Sequence, residues 1–107
     1  MIFSKWNITE LTGYEPKTTF WQDFSTADQF SAEAIEDTYK RAFEDWKTNV
    51  EYLTELVMVL NHKCWQYYEE GNIEYSQLYC RLYKEADIYA VDNLKGDELS
   101  YYLDTTD

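Results

Sequence analysis

The run TNVEYLTELVMVLNHKCWQYYEEG, residues 48–71, decides how this chain folds. Leu53, Leu56, Val57, Leu60, Cys64 and Tyr67 recur in it at intervals of three and four. That spacing gathers them on one face of an α-helix and excludes the two-residue alternation of a half-buried strand. Thr48, followed three residues later by Glu51, reads as a capping box, in which each side chain satisfies a backbone N–H of the first turn. Gly71 stands where a helix closes through the left-handed conformation. From Leu56 to Leu60 the run is apolar almost all round, the pattern of a helix covered on more than one side, so it is placed at the centre of the fold. His62 and Lys63 interrupt it, leaving it short of the roughly 20 apolar residues that a membrane span requires.

Outside this helix the composition narrows the choices. The chain has 107 residues, enough for one core and one domain. Three Gly and one Pro leave little material for hairpins or linkers, so helices on short connections are expected. Aromatic residues make up 19% of the chain, so rings must supply much of the core. No signal peptide is legible in MIFSKWNITEL, and a cytoplasmic location with Cys64 and Cys80 reduced is expected.

Read in order, residues 1–18 mix Phe3, Trp6, Ile8 and Leu11 with turn formers, which predicts an irregular arm laid across the bundle. Thr19 is expected to cap a short helix from Phe20 to about Gln29, and Ser31 to cap a second over Ala32–Lys47. The second would bury Ile35, Tyr39, Ala42, Phe43 and Trp46 and carry Glu36/Lys40, Asp37/Arg41 and Arg41/Asp45 pairs on its wet face. No Gly or Pro separates it from the central helix, and only the Thr48 cap favours a break. Asn72 caps a third long helix from Ile73 to about Leu94, antiparallel to the central one because only Gly71 and Asn72 connect them. Gly96 ends it, Asp97 caps a last short helix holding Leu99, Tyr102 and Leu103, and residues 104–107 fray. The fold class is thus all-α: a single helical domain over residues 1–107, a small bundle of three main antiparallel helices plus short N- and C-terminal helices.

The same reading yields no chemistry. His62 is placed on the surface, Cys64 in the core, and neither belongs to a ligand set with metal spacing. Glycine-rich phosphate loops, nucleophile elbows and zinc-protease motifs are missing. No catalytic, cofactor or metal residues are assigned, and the chain is read as a non-enzyme. The feature above background is charge. Net charge is −12, which disfavours direct contact with nucleic-acid phosphate and favours basic protein partners. Residues 87–107 concentrate the imbalance, with Lys95 as their one base. Asp87, Asp92, Asp97, Glu98 and Asp104, interleaved with Tyr101 and Tyr102, form the expected partner-binding set.

The segments SKWNITELTGYEPKTTFWQDF, AIEDTYKRAFEDWK and YLTELVMVLNHK resemble a group of small acidic helical proteins of phages and conjugative elements of Firmicutes, a group with no assigned activity. What the resemblance implies is a fold and a context, and no active site. In that context such proteins bind a host or element-encoded protein, and some inhibit restriction or CRISPR nucleases by standing in for DNA. The competing expectation is a self-associating protein whose surplus rings form a homodimer, with acidity serving only solubility.

Overall fold

The computed structural model describes residues 15–106, so the readings of residues 1–14 and of Asp107 lie outside the described residues. Five α-helices occur among the described residues: α1 Phe20–Ala27, α2 Ala32–Trp46, α3 Val50–Glu70, α4 Ile73–Asn93 and α5 Gly96–Thr106. No strand occurs among the described residues, and the fold is an all-α bundle. Among the described residues no helix is long and apolar enough to cross a membrane.

Helix α3 is central because it is buried all round. Every residue from Leu53 to Leu60 is withdrawn from solvent, more than two full turns, and α3 touches each of the other four helices. Its most extensive pairing is with α4. The Gly71–Asn72 connection forces the two to run antiparallel. Gly71 adopts φ 84°, and the N–H groups of Gly71 and Asn72 donate to the carbonyls of Tyr68 (3.1 Å) and Tyr67 (2.9 Å), closing the last turn of α3. Asn72 then starts α4 by accepting from Tyr75 N at 3.1 Å.

Rings fill the space between helices. Phe24 meets Tyr79 edge-on at 5.8 Å, Tyr79 stacks on Tyr67 at 5.9 Å, and Phe43 meets Tyr89 edge-on at 5.0 Å. Ile35, Leu82, Ala86, Ala90 and Tyr102 complete the core.

Several expectations are corrected. The cap of α3 is Asn49, whose side chain accepts from Tyr52 N at 3.1 Å, so Thr48 lies in the turn that separates α2 from α3. Thr19 makes no side-chain cap. Its hydroxyl donates to Asp23 at 3.0 Å, while Phe20 N donates to Thr18 Oγ1 at 3.1 Å. Trp46 is 37% exposed because α2 ends with it, and its ring packs on Tyr52 rather than into the core. Leu103 is exposed because Tyr102 takes the inward position of α5. That helix begins at Gly96 and continues through Thr106, past the Asp104 at which fraying was expected. Glu36 reaches across to Arg81 of α4 at 3.2 Å, and none of the three intrahelical pairs expected of α2 forms among the described residues.

Candidate partner-binding surface

The acidic set expected near the C-terminus is divided by the fold. Tyr102 is fully buried and its hydroxyl donates to Asp87, which is half-buried. Burial, and then this hydrogen bond to a carboxylate, push the phenol well above its ordinary range. Tyr102 therefore holds α5 on α4 and presents nothing to a partner, a correction to the expected set, while Asp87 is engaged in the same contact from a half-buried position. Asp92, Asp97, Glu98 and Asp104 are exposed and Tyr101 is half-buried. Asp97, Glu98 and Tyr101 come together with Thr48–Glu51 around a shallow cleft of about 460 Å3, where the first turns of α3 and α5 meet. Asp92 and Asp104 stand outside that cleft.

His62, Cys64 and Cys80 show no reactive arrangement among the described residues. His62 is half-buried instead of on the surface, and burial pushes its pKa down to about 4. Cys64 and Cys80 are both free thiols and half-buried. Burial pushes the Cys64 thiol up, against what a nucleophile needs, and Ser76 Oγ donates to the Cys64 carbonyl at 2.9 Å. Among the described residues no group of three or more His, Cys, Asp or Glu is placed to hold a metal ion.

Two polar groups inside the bundle escaped the sequence reading. Lys63 and Asp28, whose side chains are each 2% exposed, pair at 2.8 Å. The ammonium also donates to Ser25 Oγ at 2.9 Å and lies 4.1 Å from the centre of the Trp21 ring. Asp28 accepts a further bond from the Tyr79 hydroxyl. Burial lowers the Lys63 pKa, and Asp28 acts against that shift. The second group is Glu55, also buried, whose carboxylate accepts from Lys17 N at 2.7 Å, Thr18 N at 3.3 Å and the Thr18 hydroxyl. It fixes the entry of the chain into α1. Position 63 lies three residues after Leu60, on the core stripe, and Glu55 interrupts an apolar run; both positions were visible as polar residues on buried faces.

No protein-family model, curated protein or solved structure matches the chain. The functional reading therefore stands on the surface alone.

Proposed function

We propose that this protein acts by association and not by catalysis, with its acidic, tyrosine-bearing surface engaging a basic protein partner. The observation that carries the proposal is where the carboxylates stand. Acids in the first turn of a helix complement the positive end of its dipole, and all five helices carry one there. None of the five has a basic residue in its last turn, and Asp45, Asp92 and Asp104 occupy last turns where the dipole disfavours them. Folding gains nothing from those charges, whereas a basic partner would.

In the sharpest form of the proposal, the partner is a nucleic-acid enzyme of a host invaded by a mobile element, and carboxylates occupy the place of phosphates in its basic groove. A second reading is self-association. It is favoured by Trp65 and Tyr68, which are 57% and 59% exposed and meet edge-on at 5.8 Å on the outside of α3.

The test is capture from a host lysate on immobilised protein with elution by rising salt, run beside a Glu51→Lys/Asp97→Lys/Glu98→Lys variant and light scattering of the free protein. A basic protein retained at low salt, released as salt rises and lost from the variant is expected. Retention of nothing, together with a dimer by scattering, would replace the proposal with self-association.

A further inference from the structure

The groove between α1 and α2 lies on a part of the surface that the C-terminal cleft does not reach. Ala27 and Ala42 are buried in it and Ala34 is half-buried, and together they make a small-residue floor. Phe30, 76% exposed, stands by the α1–α2 connection and Trp46 at the far end of α2. Exposed Asp23, Asp37 and Asp45 edge the groove, with Arg41 as the single base beside them. Its volume is about 600 Å3. From Ala34 to Trp46 it follows α2 for about 18 Å, the length of roughly three helical turns.

We propose that this groove seats a basic amphipathic helix of a partner protein, a proposal that rests on the reading of the chain as a binder of basic proteins and adds a second contact surface to the C-terminal cleft. Alanines on the floor let a helix backbone approach closely. The two rings at the ends offer contacts to large apolar side chains about one and a half to two turns either side of the middle, the anchor pattern of a helix laid in a groove. Three carboxylates against one guanidinium select Lys and Arg on the flanks of that helix. The chemistry disfavours the other occupants. A second copy, at −12, brings like charge to an acidic rim. Residues 1–14 carry Lys5 and Glu10 in balance and offer the rim no complement.

The probe for the test is a fluorescein-labelled Leu/Lys peptide of about four turns with Leu at helical spacing, beside a peptide of the same composition in which Leu and Lys alternate. Binding to the full chain is followed by anisotropy and mapped by amide chemical shifts. The helical peptide is expected to move the amides of Ala27, Phe30, Ala34 and Ala42 and to bind at least about tenfold tighter than the alternating one. Asp37→Lys/Asp45→Lys should weaken it by about tenfold, Phe30→Ser should weaken it at unchanged charge, and Glu74→Lys, on an exposed site outside both the groove and the C-terminal cleft, should leave it unchanged. All these positions but Ala27, Ala34 and Ala42 are exposed, so circular dichroism should report an intact fold for every variant.

If the shifts fall on α5 and vanish in Asp97→Lys/Glu98→Lys, the groove is overturned while the basic-partner reading stands. Equal binding of both peptides, or of neither, overturns the groove as well, and the lysate capture then judges the wider reading separately. Cross-relaxation between the Ala34 or Ala42 methyls and Trp6 or Leu11 in the free protein, or concentration-dependent shifts in the groove, would give it to the chain's own segment or to a second copy and overturn the proposal.

Discussion

At the scale of single residues, Lys63 shows how a charge is accommodated inside a small bundle. Its ammonium has Asp28, Ser25 and the face of Trp21 around it, and Asp28 in turn accepts from Tyr79. Removing either ion leaves the other uncompensated in the interior, which typically costs about 3–5 kcal/mol. Lys63→Met and Asp28→Asn should each destabilise on that order. The double variant should cost clearly less than the two together, because the second change removes the stranded charge. A double-mutant cycle by urea denaturation measures this, and strict additivity would mean that the two ions do not depend on each other. His62 gives the pH dependence. Its folded pKa, about 4, lies below the ordinary 6.5, so on acidification the unfolded chain takes up the proton first. The contribution is present above pH 6.5 and is lost as pH falls toward 4. Allowing for solvent screening, it reaches about 2 kcal/mol. Urea midpoints of the wild type and His62→Gln should therefore converge across that window, and the imidazole proton should titrate near pH 4 by NMR. A titration near 6.5 would show the ring to be open to water.

At the scale of elements, the start of α3 separates two candidate caps. The sequence favours Thr48 through its spacing to Glu51, yet Asn49 accepts the first-turn N–H of Tyr52. Asn49→Ala should cost about 1 kcal/mol of stability, and Thr48→Ala less than about 0.5 kcal/mol. Comparable losses at both positions in thermal melts would mean that the two share the role. This near miss marks what was legible. Helix existence, order and the inward stripe of α3 follow from period and punctuation, and Ser31, Gly71 and Asn72 do what their types suggest. What sequence could not supply is where the layers stop. Trp46 has helical register with Ile35 and Tyr39, but α2 ends with it, so the same periodicity carries its ring to the edge. Asp87 and Tyr102 lie in sequence among acids that the fold exposes, which places them in the expected partner-binding set. Only the packing of α5 on α4 turns them toward each other. Glu55 and Lys63 stand out in sequence as polar residues on buried faces, but their pairings do not. Their partners Thr18 and Asp28 lie 37 and 35 residues away in sequence, and no local pattern registers a pairing at that distance.

At the scale of the whole molecule, the net charge of −12 separates into parts with different explanations. Asp28, Glu55 and Asp87 are engaged inside the fold. Asp23, Glu33, Glu51, Glu74, Asp97 and Glu98 sit in first turns, where negative charge supports the helix. Asp92 and Asp104 belong to neither part: both are exposed and lie in the last turns of α4 and α5, at the negative end of the dipole. Asp92→Asn and Asp104→Asn should each stabilise the protein by about 0.3–1 kcal/mol at low ionic strength. Asp97→Asn, at the opposite pole of α5, should destabilise it by a similar amount. Both effects should shrink between about 0.01 and 0.15 M salt, as the screening length falls from about 30 to about 8 Å. Urea midpoints at the two salt concentrations separate the cases. Opposite signs at the two poles of α5 would establish that the acids at the C-terminal ends weaken the fold they stand on, as a role outside folding requires. Destabilisation by Asp92→Asn would assign that carboxylate to the fold and remove it from the binding surface.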